Sequence, residues 1–221
     1  QKTAYEIRNC DWSSDVCSSD LYLALLNRRS VSGRTPDCVE APVTPRGDDE
    51  ASRALHALRT GNLHAALRHV RLAVELQPAR GEFALLEASI LHRCGDFEHA
   101  CEALSRATRL SPDDANLQHQ AGSLYSLMGF HGEGLEAASR AVQLEPAKAR
   151  HHFNRGALLR FLGRIGEAET AYDAAIAIDP GDHEAWLNRI ELRRQTPESN
   201  HIQMLESRAN APFSHPRDEV F

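Results

Sequence analysis

Lysine is nearly absent from this chain: of 25 basic residues only Lys2 and Lys148 are lysines. Arginine codons are GC-rich, so the bias points to a GC-rich, bacterial genome. A basic excess is missing too. The formal charge is −6 over 221 residues, which leaves no electrostatic footprint for nucleic acid. Aromatics make up 6% of the chain, so alanine and leucine must do most of the interhelical packing. The longest early apolar stretch, around Leu21 to Leu26, is too short for a bilayer span or a signal-peptide core. A cytoplasmic protein without membrane contact is therefore expected. The five cysteines, Cys10, Cys17, Cys38, Cys94 and Cys101, are odd in number and irregularly spaced, which excludes a disulfide framework.

Residues 1–21 read as foreign. Residues 11–21, DWSSDVCSSDL, and residues 1–7, QKTAYEI, back-translate in one frame onto two parts of a widely used sequencing-library adapter. They are set aside from fold reasoning. Residues 22–47 hold Ser30, Ser32, Gly33, Pro36, Pro42, Pro45 and Gly47 without a sustained period, and predict a flexible linker.

From Asp48 onward the chain is periodic. Pro78, Pro112, Pro146 and Pro180 stand 34 residues apart, and so do Gly61, Gly95, Gly129 and Gly163, and Ala73, Ala107, Ala141 and Ala175. Leu55 and Leu58, then Leu67, Val70 and Val74, fall at helical spacing on either side of Gly61, and the later units repeat this. Each unit thus predicts two helices, the second stopped near a proline that cannot continue the hydrogen-bond ladder. Asp113, Asp114 and Asp182 are candidate caps for the helices after them. Small residues at Ala54, Ala88, Gly122 and Gly156 on first helices, and Ala66, Ala100, Gly134 and Ala168 on second helices, mark where paired axes cross. Gly132 and Gly134 predict a weak third unit, each mid-helix glycine costing about 0.8–1 kcal/mol against alanine. On that count Gly134→Ala should stabilise.

These residues closely resemble the tetratricopeptide repeat over about 47–182. The resemblance implies an all-α fold, a right-handed superhelical solenoid of antiparallel helix pairs. The repeats are assigned to 48–194, four full units and a fifth first helix in which Trp186, Leu187 and Ile190 would cap the array. Residues 195–221 form a connector ending at the start of a further helix, so the sequence is read as a fragment. Around 187–221, Thr196, Pro197, His201, Ile202, Leu205, Glu206 and Ser214 resemble the connector of bacterial tetratricopeptide-repeat sulfotransferases. That implies a parent using 3′-phosphoadenylyl sulfate, whose donor site has no counterpart here.

No phosphate loop, nucleophile elbow or H-E-x-x-H motif is present, so no enzyme activity is expected of this chain. His92, Cys94, His99 and Cys101 form the best metal-like cluster, but Gly95 splits it across two helices and Cys101 falls in a core column; neither metal nor cofactor is expected. Function should lie on the inner face, lined by first helices. Columns 34 apart give Ser52, Leu86, Gln120, Asn154 and Asn188; Leu58, His92, Ser126, Arg160 and Arg194; and Ala51, Leu85, His119, Phe153 and Leu187. The family resemblance implies that amides in the first column bind a ligand's backbone, although Asn154 and Asn188 equally fit the consensus alone. His92, His119, Gln120, Phe153, Asn154, Arg160, Asn188 and Arg194 are the candidate ligand contacts. The inner columns lack lysine, which disfavours a clamp for a terminal carboxylate. A protein- or peptide-binding scaffold is expected, either the arm of a sulfotransferase or a free-standing adaptor.

Overall fold

Nine α-helices make up the described residues of the computed structural model, 46–193, 200, 202, 203 and 206, and no strand occurs among them. In chain order they are α1 Gly47–Arg59, α2 Leu63–Leu76, α3 Gly81–Arg93, α4 Phe97–Leu110, α5 Ala115–Leu127, α6 His131–Leu144, α7 Ala149–Phe161, α8 Ile165–Ile178 and α9 His183–Glu191. Residues 1–45, most of 195–221 and Arg194 lie outside the described set, and with them the adapter, most of the linker and nearly all of the connector.

Each pair is turned by a glycine with positive φ: Gly61 (77°), Gly95 (78°), Gly129 (84°) and Gly163 (72°). That left-handed conformation strains a residue bearing a Cβ, which accounts for glycine recurring at this place in every repeat. Four of the nine helix starts are fixed by side-chain caps. Asp114 accepts from the backbone N–H of Asn116 and Leu117, and Asp182 from that of Ala185. Asn62 and Asp96 cap α2 and α4 in the same way. Asp113 is no cap; its carboxylate takes the Arg140 guanidinium at 2.7 Å.

The predicted small-residue crossings are in place. Ala54, Ala66, Ala88, Ala100 and Ala168 are fully buried. Gly122 and Gly134 face each other across the α5–α6 crossing, where a methyl on Gly134 would stand 2.9 Å from Leu158 Cδ2 and 3.1 Å from the Gly122 carbonyl oxygen. This sets close approach against the propensity expectation for Gly134→Ala: the added methyl would have to displace the buried Leu158 side chain and press on the Gly122 backbone. Gly132 has open space around it and keeps its propensity cost.

The cap on the fourth pair also differs from expectation. Leu187 is 50% exposed, and α9 seats itself through buried Ala185 and through Arg189, which reaches Glu169 (3.1 Å) and Asp173 (2.7 Å) on α8. Trp186 donates its Nε1–H to the Pro180 carbonyl at 3.1 Å, which ties the ring to the preceding loop.

Candidate functional site

Each first helix packs on its own second helix, and each second helix on the next first helix. First helices also meet one another directly, α3 with α5 and α5 with α7, more closely than the second helices meet. Closer spacing on one side of a stacked array bends it toward that side, so the first helices line the inner face.

On this face the amide column is mostly used internally. Asn154, 9% exposed, donates both Nδ2 hydrogens to the preceding repeat, to the His119 carbonyl (3.3 Å) and Ser123 Oγ (3.2 Å). Such bonds hold two first helices in register and leave the donor side of the amide no capacity for a ligand. Gln120, one repeat earlier, is also buried. Asn188 is half-buried and donates to the Glu184 carbonyl of its own helix at 2.8 Å.

His119 lies beside His151, ring centroids 4.9 Å apart, at the α5–α7 contact. His151 is fully buried, its Nε2 is 3.2 Å from Glu145 Oε2, and Nδ1 of both rings is buried without a partner among the described residues. Burial, with His151, Arg150 and Lys148 nearby, pushes the His119 imidazole down to about 3. His151 is lowered as well, burial outweighing Glu145. Burial thus favours the neutral form of both rings.

Phe153 is half-buried, packed against Leu159, Ala168, Ala171 and Tyr172, with its ring edge-on to Tyr172 at 5.6 Å. His92 is half-buried, and burial lowers its affinity for a proton. The Arg160 guanidinium lies 5.6 Å from the Phe161 ring. Arg194 lies outside the described residues. The structure thus brings His119 and Asn154 together and places Phe153 and Arg160 along the same helix, with His92 two repeats away.

Two exposed residues at the ends of first helices escape the sequence reading. Phe161 and Leu127, the last residues of α7 and α5, are 57% and 46% exposed. The ring of His131 stacks on Phe161 at 4.5 Å and 4°. The available signal is that both apolar residues occupy one 34-residue column.

Two further grooves lie on the second-helix side. One, of about 640 Å³, runs between α4 and α6 over Gln118 and Tyr125; its counterpart one repeat on, of about 300 Å³, is lined by Leu135, Ser139, Arg155, Leu159 and Glu167. In the larger groove, Gln118 Nε2 donates to the Thr108 and Ser111 carbonyls and Arg140 Nε to the Pro112 carbonyl. These polar groups already serve the fold.

Tetratricopeptide-repeat family models match residues 52–115 and 149–192. No curated protein matches the chain. Among solved structures the chain is similar to MamA, with TM-score 0.58 and 20% identity over 66% of this chain and 80% of that one. It is also similar to MamA residues 41 to the end from Desulfovibrio magneticus RS-1, with TM-score 0.58 and 16% identity over 74% and 89%. YrrB, described as a TPR protein with an unusual peptide-binding site, matches with TM-score 0.55 and 20% identity over 65% and 74%. At these identities the likeness concerns the fold.

Proposed function

We propose that this chain, a tetratricopeptide-repeat protein, is a non-catalytic scaffold that holds an extended peptide of a partner protein along its first-helix face. The observation that carries this reading is the pair of exposed apolar side chains, Phe161 and Leu127, that end two successive first helices at the same register. An exposed aromatic at a helix end, beside a guanidinium without an ion pair among the described residues, suits a partner offering apolar and acidic groups. Phe153 and Arg160 remain proposed contacts, as do Asn188, His92 and Arg194, while Asn154, Gln120 and His119 are proposed to act by positioning the helices.

A cytoplasmic setting and a partner that is neither nucleic acid nor membrane belong to the same proposal. The charge of −6 supports it, and no described helix is long and apolar enough to cross a membrane. No cofactor is part of it. The finer reading, a substrate-presenting arm of a sulfotransferase, rests on the connector residues Thr196 to Ser214 alone; a free-standing adaptor is its alternative. Genomic sequence downstream of the codon for Phe221 separates them, since the first requires a donor-binding strand–loop–helix and the second does not.

Peptides selected from a random display library test the scaffold. Calorimetric titration should show that Phe161→Ala weakens the selected peptides about tenfold or more, as loss of a central aromatic contact does. Asn154→Ala should lower stability by about 0.5–1.5 kcal/mol, through the lost inter-repeat bonds. Selected peptides indifferent to Phe161→Ala would place the site elsewhere.

A further inference from the structure

We infer that the ligand of the first-helix face has two unlike halves, carboxylates lying toward the first two repeats and bulky apolar side chains toward the third and fourth. This rests on the reading that a peptide occupies this face at all. The final residues of α1, α3, α5 and α7 form one register column, Arg59, Arg93, Leu127 and Phe161, and all four are exposed. The same place on four equivalent helix ends thus changes from cationic to apolar halfway along the array.

Arg59 and Arg93 make no ion pair among the described residues, whereas Arg53, Arg80, Arg106, Arg140 and Arg164 each hold a carboxylate. Asp96, three residues from Arg93, is engaged by His99 at 2.8 Å. A cation at a helix C-terminus gains from the helix dipole, which accounts for arginine at these ends. It does not account for leucine and phenylalanine at the same exposed place two repeats later.

The apolar half is pre-organised. Stacking by His131 on one side and the nearby Arg160 guanidinium fix the Phe161 ring, while 57% of the residue stays open to a ligand. Leu162, 41% exposed, widens the patch. Single exposed apolar residues need no explanation, but two at successive helix ends, in one column with two arginines unpaired among the described residues, describe an amphipathic strip. Charge complementarity then selects the occupant: acids toward the first two repeats, and bulky apolar groups toward the last two, where the Arg160 guanidinium is already engaged by the Phe161 ring.

Register comes from dimensions. Adjacent packed helices stand about 8–10 Å apart. An extended chain advances about 3.3 Å per residue, so about three ligand residues pass each repeat. The matching motif has an acid, two spacers, an acid, two spacers, then two bulky apolar residues at the same interval. A helical ligand would need about six residues per repeat.

Fluorescence anisotropy with labelled synthetic peptides tests this. The probes are the block peptide in both chain directions and a shuffled peptide of equal composition in which acids and apolar residues alternate. One direction of the block peptide should bind at least tenfold more tightly than the shuffle. Arg59→Glu/Arg93→Glu should weaken it tenfold or more and flatten its salt dependence, with Arg59→Gln/Arg93→Gln as the milder pair if the first does not fold. Phe161→Ser should weaken it with the salt dependence unchanged. If block and shuffle bind equally and Phe161→Ser weakens both, the two-half ligand is wrong while a peptide on this face stands. If peptides bind and neither Phe161→Ser nor the arginine pair changes anything, the face itself is wrong; if only the arginine pair matters, the two-half ligand is wrong. If none binds, or only a peptide with six-residue spacing does, the inference is overturned.

Discussion

The ring of Tyr172 on α8 fills the space that a side chain at Gly156 on α7 would need. A methyl at Gly156 would lie 3.0–3.1 Å from three ring atoms of a tyrosine that is itself fully buried. At the same register the other repeats pair Ala54 with Val70, Ala88 with Leu104 and Gly122 with Ala138. The glycine and the large ring compensate for each other, and the fourth repeat keeps its interhelical distance with different pieces. The cost falls on the Tyr172 hydroxyl, which is buried without a partner among the described residues.

Gly156→Ala should therefore destabilise the protein by about 1–3 kcal/mol, overpacking outweighing the helix-propensity gain of about 1 kcal/mol. Adding Tyr172→Leu recreates the Ala88–Leu104 combination and should recover much of the loss. Urea denaturation of the single and double variants measures this. A stable Gly156→Ala single variant would mean that the ring has room to move.

The two glycines of α6 should respond in opposite directions. Gly132→Ala, in open space, should raise stability by up to about 1 kcal/mol. Gly134→Ala should lower it, because its methyl would press on the fully buried Leu158 and on the Gly122 backbone. Thermal unfolding of the two variants side by side decides between propensity and close approach.

The buried pair His119 and His151 makes stability depend on pH. Both folded pKa values lie below the ordinary histidine value of 6.5, His119 at about 3. The unfolded chain therefore binds more protons below pH 6.5, and stability falls as pH drops from there toward 3. Each histidine kept neutral contributes a slope of about 1.4 kcal/mol per pH unit within its window. Glu50 and Glu145, held below the ordinary carboxylate value of 4.5 by their hydrogen-bonded partners, add acid sensitivity only below that pH. Urea midpoints at pH 7 and pH 5 should differ in the parent protein and differ less in His119→Gln. Equal pH dependence in both would show that His119 is solvated.

The 34-residue period is legible because stacked repeats must place small residues, turns and helix ends at fixed intervals, as Gly95 and Ala100 do. Contacts between columns are not. His119 and His151 occupy different register positions in successive repeats, so no column brings them together, and only the packing of α5 on α7 does. Asn154 stands out as an inner-face amide, but its partners, a carbonyl and a hydroxyl one repeat back, depend on a side-chain direction that spacing does not give. Propensity alone misjudges Gly134 because its neighbour Leu158 lies in the next repeat. Phe161 and Leu127 are hidden because a hydrophobic residue at a helix end reads as core until its exposure is known.

Amide hydrogen exchange with and without a display-selected peptide tests the central claim, that the first-helix face holds the ligand, most directly. Added protection should concentrate in the first helices α3, α5 and α7, strongest toward the helix ends that carry Leu127 and Phe161. Protection confined to α4 and α6, the walls of the larger groove on the second-helix side, would contradict it.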